Sequence, residues 1–146
     1  MEKTEGLTPE QVEQIEHAYQ EGLEEVDRED AQHVLAKEEK ARRKAGDLIK
    51  QHASSLVVLG KQVLLLYDML RAWWDGRYPL PWKTVAAITG ALLYFVNPFD
   101  IVPDFIPVIG YLDDVVVIGA CVKLIRPDLR AYAESKKLNL ADYGLN

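Results

Sequence analysis

Four aspartates lie close together in residues 97–114, and they are the side chains of this chain best suited to chemistry. They are Asp100, Asp104, Asp113 and Asp114, and the amide of Asn97 stands at the start of the same segment. Carboxylate and amide oxygens are the ligands that hard cations such as Mg²⁺ and Ca²⁺ prefer. The spacing does not follow the D-x-[DN]-x-[DN]-G pattern of a calcium loop, and no histidine or nucleophile accompanies the carboxylates. We therefore keep a divalent-cation-binding protein, or an enzyme that uses this loop, as an alternative, and we assign no catalytic residue.

Three prolines and one glycine interrupt the apolar sequence around these aspartates. Pro98 ends an arriving helix, because proline donates no backbone hydrogen bond and pushes the preceding residue out of helical geometry. Pro103 and Pro107 are too close together for a regular helix to pass through them, and Gly110 suits a turn. The pattern predicts a bent, proline-bearing loop between two helices.

Helix capping is the simplest explanation of the polar residues in this loop. Asn97, Pro98 and Asp100 match the N-cap, N1 and N3 positions of a short helical turn. Asp113 and Asp114 fall in the first turn of the next helix, where each carboxylate stabilises the helix dipole by roughly 0.3 to 1 kcal/mol. These residue types favour capping over ion binding, and ion binding over catalysis.

The same segment resembles the signature of the YkvA-like family, P-x-D-x-I/V-P-D-x-I-P-x-x-G-x-x-D-D. The matching residues are Pro98, Asp100, Pro103, Asp104, Ile106, Pro107, Gly110, Asp113 and Asp114. The resemblance extends over about residues 64–130 and leaves out the N-terminal third of the chain. Members of the family are small, mainly bacterial proteins that are usually described as multi-pass membrane proteins of unknown function. The resemblance thus implies a membrane location and a fold, and it implies no reaction and no catalytic residues.

The helices on either side of the loop form the most apolar part of the chain. No lysine or arginine occurs between Lys83 and Lys123, and residues 83–96 and 111–125 predict a helical hairpin. Its open end is basic and its tip acidic, as in a hairpin inserted from the cytoplasm with both termini cytoplasmic. The uncharged runs within it have sixteen and eight residues, fewer than the about twenty that cross a bilayer as a helix. A re-entrant hairpin, a thinned or oligomer-shielded crossing and the buried hairpin of a soluble bundle all fit these lengths.

Aromatic and basic residues gather around the turn that precedes this hairpin. They are Trp73, Trp74, Arg77, Tyr78, Trp82 and Lys83. This composition is typical of a membrane interface, where aromatic rings lie at the level of the headgroups. Packing of the same rings at the end of a soluble helical bundle fits equally well. The helix before the turn, from about residue 55 to residue 74, is apolar with one narrow polar side.

The N-terminal part of the chain is highly charged. Residues 1–30 hold eleven acids and two bases, whereas residues 31–50 hold six bases and three acids. A helix begins after Thr8, breaks near residues 27–30, and is followed by a second helical stretch. The two stretches fit an antiparallel hairpin, and the first also fits docking on a partner helix. The formal net charge of −6 argues against nucleic acid as a partner.

Two further features bear on location. The basic cluster of Lys37, Lys40, Arg42, Arg43 and Lys44 is either a solvated helix face or a contact for anionic lipid. The single cysteine, Cys121, lies in an apolar run, which indicates a small buried side chain and suits a reducing cytoplasm. The acidic N-terminus does not have the pattern of a secretory signal.

These patterns predict an all-α protein in which an apolar helical hairpin around the Pro/Asp loop packs with an amphipathic helix. We expect a charged N-terminal helical arm over residues 1–52, a YkvA-like helical domain over residues 53–137, and a frayed C-terminal tail over residues 138–146. The predicted function is that of a membrane-associated protein with membrane lipid as its partner and a structural, scaffolding or regulatory role. The alternative is a soluble helical homo-oligomer that buries the same surfaces. No cofactor is expected, apart from Mg²⁺ or Ca²⁺ at the aspartates.

Overall fold

Helices make up nearly all of the chain that the computed structural model describes, which is residues 7–51, 53–96 and 112–146. The α-helices are α1 (Pro9–Gly22), α2 (Arg28–Ala36), α3 (Glu38–Ile49), α4 (Ser54–Trp74), α5 (Trp82–Val96), α6 (Leu112–Leu124) and α7 (Arg126–Ser135). Short 3₁₀ turns follow α1 at Leu23–Glu25 and α7 at Leu140–Tyr143. These three ranges contain no β-strand, and the all-α prediction is confirmed.

Local capping sets the boundaries of the first helices. Thr8 and Gln11 form a reciprocal capping box at the start of α1, with N···O distances of 2.9 and 3.0 Å. Asp27 and Asp30 form a second box that starts α2, which confirms the predicted break at this point. The helical stretch predicted beyond it is two helices, because Lys37 leaves helical geometry (φ −96°, ψ 10°) and separates α2 from α3.

Helix α5 occupies the centre of the bundle. Twelve of its fifteen residues are buried, and α1, α2, α4 and α6 all contact it. A glycine in α5 allows one of these contacts, since a Cβ atom on Gly90 would lie 2.6 Å from Cδ2 of Leu23. The apolar character of α5 therefore serves packing against helices of the same chain.

Helices α5 and α6 form the predicted antiparallel hairpin. The Sγ atom of Cys121 in α6 lies 3.5 Å from the carbonyl oxygen of Ala87 in α5. Towards the start of α5, the hydroxyl of Thr84 donates a hydrogen bond of 2.5 Å to Asp128, which follows α6. Residue numbers thus rise along α6 as they fall along α5. The loop that joins the two helices lies outside the described residues.

The N-terminal helices belong to the same core as the hairpin. Helix α3 packs along α4 so closely that a Cβ atom on Gly60 would lie 2.6 Å from the carbonyl oxygen of Ala45. The buried hydroxyl of Tyr67 in α4 donates to the carbonyl of Val34 in α2 at 3.0 Å. Tyr19 of α1 donates to the carbonyl of Ala87 at 2.7 Å. Helices α1 to α3 therefore cover α4, α5 and α6 within one chain.

The C-terminal residues are ordered by contacts with α4, so the prediction of a frayed end was wrong. Leu129 and Tyr132 of α7 are buried, as their spacing predicted. Beyond α7, the carbonyl of Tyr143 accepts a 2.8 Å hydrogen bond from the amide of Gln62. Leu145 is completely buried. The carbonyl of Asn146 also accepts a 3.2 Å hydrogen bond from Arg126, so side-chain burial and hydrogen bonds to the backbone together hold the end of the chain.

Candidate functional site

The predicted aspartate loop joins the described structure at Asp114. Asp113 and Asp114 lie in the first turn of α6, where carboxylates stabilise the exposed N–H groups of a helix. The Asp114 side chain is only 3% exposed, and its Oδ2 atom lies 3.1 Å from Nζ of Lys44. Asp114 is therefore one partner of a buried ion pair, a role that the capping prediction did not include.

Lys44 links both helices of the hairpin to α3. Its ammonium group donates a 2.8 Å hydrogen bond to the carbonyl oxygen of Phe95, in the last turn of α5. The same group lies 4.3 Å from the centre of the Phe95 ring. Carbonyls in the last turn of a helix have no partner within the helix and need one elsewhere. Lys44 thus joins the end of α5 to the start of α6, at the base of the predicted loop.

The role of Lys44 was missed because the sequence groups it with a cluster of basic residues. Ala41, Ala45 and Leu48 are the buried residues of α3, and Lys44 stands three residues after the first and four before the last. That spacing places Lys44 next to the buried face of the helix. Of the other members of the cluster, Arg42 pairs with carboxylates of the protein. Lys44 and Arg42 thus form ion pairs within the chain.

The divalent-cation hypothesis stays a prediction. Asn97, Pro98, Asp100, Pro103, Asp104, Pro107 and Gly110 lie outside the described residues, as does the side chain of Asp113. Among the side chains that the structure describes, no group of three or more His, Cys, Asp or Glu residues is arranged to hold a metal ion.

A second candidate site is the tryptophan end, which we define by Trp73, Trp74, Trp82 and Arg28. The ring of Trp73 lies 6.2 Å from the ring of Trp74 and 6.2 Å from that of Trp82, centre to centre. Arg28, the first residue of α2, places its guanidinium 4.4 Å from the Trp74 ring and 5.4 Å from the Trp73 ring. Trp82 is 45% exposed. The structure thus brings the three predicted tryptophans together and adds an arginine that the sequence analysis did not select.

The other predicted interface residues lie around this end with different contacts. Tyr78 stands edge-on to Tyr132 of α7, with ring centres 4.9 Å apart. Arg77 pairs with Asp75 at 3.2 Å on the surface, and Lys83 is exposed at the start of α5. Tyr78 is therefore held by packing, whereas Lys83 remains accessible.

Cys121 is a buried structural residue, in agreement with its apolar sequence context. It is fully buried, and that burial raises the pKa of its thiol to about 12. Burial, followed by the effect of Cys121, also raises the pKa of Tyr19. Both groups stay protonated at physiological pH, so they act as hydrogen-bond donors to Ala87 and not as nucleophiles.

Comparison with known proteins identifies the family of this chain. Residues 84–120 match the family described as "Protein of unknown function (DUF1232)". The protein is also 40% identical over 73 residues to "Uncharacterized membrane protein YkvA" of Bacillus subtilis (strain 168). The aligned residues cover 49% of this chain and 69% of that relative. The chain belongs to the YkvA-like family. No solved structure matches it significantly.

The two partners of the Lys44–Asp114 ion pair lie on different sides of the boundary of the family segment. The family segment of residues 84–120 includes Asp114 and Phe95 but not Lys44. In this YkvA-like protein, an N-terminal helix outside that segment thus supplies the cation that joins its two helices.

The described helices do not support a hairpin that crosses the membrane, one of the forms that the sequence left open. Within the described ranges, no helix has both the length and the apolar character that a membrane crossing requires. Helix α5 is the most apolar of them, and its side chains pack against neighbouring helices. The name of the Bacillus relative describes that relative as an uncharacterized membrane protein.

Proposed function

We propose that this protein is a membrane-associated helical protein that attaches peripherally through its tryptophan end and has a structural, scaffolding or regulatory role. The observation that carries the proposal is the exposure of Trp82. Among the described residues, Trp82 (45%) and Leu124 (37%) are the most exposed large apolar side chains. Single exposed apolar residues are normal on a protein surface, but apolar groups that share one surface mark an interaction site.

The two exposed side chains belong to the same end of the bundle. Trp82 is the first residue of α5 and Leu124 is the last residue of α6. Because these helices are antiparallel, both residues lie at the open end of the hairpin. An indole ring combines an apolar body with a polar N–H group and favours the level of the lipid headgroups. The placement supports a shallow contact with a lipid surface.

At this end of the bundle, charge contributes less to lipid binding than the aromatic contact does. Lys83 and Lys123 are exposed beside Trp82 and Leu124 in sequence, and each basic residue near an anionic surface contributes about 1 kcal/mol. Arg28 follows directly after the acidic N-cap Asp27, which offsets its attraction to anionic lipid. We therefore expect binding that depends strongly on Trp82 and only modestly on salt.

Flotation with lipid vesicles tests the proposal. The full chain is mixed with vesicles of phosphatidylcholine and phosphatidylglycerol, and the bound fraction is compared with that of Trp82→Ser. We expect binding of the wild-type protein and a loss of at least about tenfold in the variant, since the exposed part of the indole no longer leaves water. Leu124→Ser should weaken binding independently.

A matched control is Tyr143→Ser, which removes an aromatic ring from the C-terminal 3₁₀ turn, where the carbonyl of Tyr143 accepts a hydrogen bond from Gln62 in the middle of α4. It should bind vesicles like the wild-type protein. Equal flotation of wild type and Trp82→Ser would contradict the proposal. The homo-oligomer alternative predicts a different result, namely a multimer in light scattering without vesicles that Trp82→Ser converts to a monomer.

A further inference from the structure

We propose that the cavity between α3, α4 and α7 binds an anionic ligand that carries a phosphate group. The cavity has a volume of about 410 Å³, and its lining includes Arg42, Arg71, Arg77 and Lys136. This proposal concerns a different surface from the exposed side chains of Trp82 and Leu124, and it does not depend on membrane attachment. Its basis is an excess of cationic groups that converge from different elements of the fold.

Two of the cations are fixed in place by carboxylates. Glu38 accepts from Nε of Arg42 at 2.8 Å through Oε2 and from Nη2 of Arg71 at 2.9 Å through Oε1. Asp68 accepts from the other side of Arg42 at 2.9 Å. Both oxygens of Glu38 are thus already engaged. Burial alone would lower the pKa of Arg42, but the contacts with Glu38 and Asp68 outweigh it and raise that pKa.

The other two cations are available to a ligand. Arg77 pairs with Asp75 at 3.2 Å, but both side chains are well exposed, and such surface pairs exchange readily. Lys136 lies 5.7 Å from the centre of the Tyr132 ring. Within the described residues, no carboxylate forms an ion pair with Lys136. A guanidinium and an ammonium group at one cavity suit the oxygens of a phosphate, which arginine binds in a bidentate manner.

The charge balance of the lining favours an anion over a cation. Four cationic side chains and two carboxylates, Glu38 and Asp68, line the cavity, so it carries an excess of positive charge. The whole chain has a formal net charge of −6, which makes this local excess the opposite of the general trend. An excess of one sign in a concave site concentrates ligands of the other sign.

The floor of the cavity adds an apolar contact and a hydroxyl group. Leu65 and Tyr132 are each 2% exposed, and Leu138 completes the lining on the side of α7. Burial, followed by the effect of Asp68, raises the pKa of Tyr132, so its hydroxyl stays neutral. A volume above about 300 Å³ is in the usual range for small-molecule sites. These features fit a phosphate ester with a small organic group, either free in solution or in a phospholipid headgroup.

The end of α7 determines which lysine faces the ligand. Lys137 adopts a left-handed conformation with φ 59°, and the N–H of Leu138 bonds to the carbonyl of Ala133 at 3.0 Å. This turn places Lys136 and Leu138 in the lining and leaves Lys137 out of it. Lys137→Gln therefore removes the same charge one residue away and serves as the matched control.

Calorimetric titration of the full chain with glycerol 3-phosphate tests the proposal in solution. We expect saturable binding, and a double variant with Arg77→Gln and Lys136→Gln should bind at least about tenfold more weakly. Lys137→Gln should bind within about twofold of the wild-type protein. Asp68→Asn removes a lining carboxylate and should bind more tightly, a gain that a folding defect does not produce.

A second arm separates the two sources of the phosphate. Vesicles that contain phosphatidylglycerol are compared with vesicles of phosphatidylcholine alone, for the wild type and for the double variant. Binding to glycerol 3-phosphate supports a free phosphate ester. Binding only to phosphatidylglycerol vesicles, lost in the double variant but kept in Lys137→Gln, supports a lipid headgroup. Equal binding of glycerol 3-phosphate by the double variant and the wild type would overturn the proposal. Failure to bind glycerol 3-phosphate, together with vesicle binding that is absent or that the double variant retains, would also overturn it. Trp82→Ser should leave the titration with glycerol 3-phosphate unchanged.

Discussion

Replacement of Lys44 by methionine is the perturbation that tests the ion pair at the base of the hairpin most sharply. Lys44→Met keeps a long, unbranched side chain and removes the charge that faces Asp114. The carboxylate that remains is 3% exposed, whereas Lys44 itself is 27% exposed. Breaking a buried pair by removing one partner costs about 3 to 5 kcal/mol. Because water reaches part of Lys44, we expect the free energy of unfolding to fall by about 2 to 3 kcal/mol.

The assay is urea denaturation followed by circular dichroism, with thermal melting as a second readout. For a chain of this length, each kcal/mol lowers Tm by about 3 °C, so Lys44→Met should melt about 6 to 9 °C below the wild type. Lys40→Met is the matched control, since Lys40 is exposed on the same helix. It should change stability by less than about 0.5 kcal/mol.

A double variant separates the pair from general packing effects. Asp114→Asn added to Lys44→Met also removes the charge of the buried carboxylate, so the two changes together should cost less than the sum of their separate effects, by at least about 1 kcal/mol. A Lys44→Met protein that unfolds at the same urea concentration as the wild type would refute this account of the hairpin base. Strict additivity of the two changes would refute the coupling.

Three further predictions follow from the packing of the described helices. Gly60→Ala should lower the free energy of unfolding by about 1 to 3 kcal/mol in urea, because its Cβ would meet the carbonyl of Ala45 at 2.6 Å; wild-type stability would contradict the close approach of α3 and α4. Tyr19→Phe should lower the free energy of unfolding by about 1 to 2 kcal/mol in urea, since the buried carbonyl of Ala87 loses a 2.7 Å hydrogen bond. An unchanged midpoint of urea denaturation would argue against that bond. Burial disfavours the thiolate and raises the pKa of Cys121 to about 12. Iodoacetamide at pH 8 should therefore leave Cys121 of the native protein unmodified but modify it fully in urea, as mass spectrometry would show.

Features that depend on neighbouring residues could be predicted from the sequence. The capping box of Thr8 and the break at Asp27 involve residues three positions apart, and the structure contains both. The hairpin of α5 and α6 follows from two apolar runs separated by prolines. Periodicity and capping are local signals, and here they predicted helix type and pairing.

Contacts between distant segments could not be predicted in the same way. Lys44 and Asp114 are seventy positions apart, and nothing in either local pattern indicates that they meet. Sequence spacing placed Lys44 next to the buried residues of α3, yet its partner depends on how α3 packs against the hairpin. Leu145 was treated as part of a frayed tail because a single apolar residue near a terminus has no periodicity. Its burial depends on the folded bundle, in which the neighbouring Tyr143 is bonded to Gln62 of α4.

Helices of the same chain enclose the apolar hairpin, and we therefore propose that the protein attaches to a membrane peripherally, without inserting the hairpin. Extraction of cell membranes with alkaline sodium carbonate tests this claim most directly, because that treatment releases peripheral proteins and leaves inserted ones in the pellet. The account predicts that the protein appears in the carbonate supernatant. Retention in the pellet until detergent is added would contradict it.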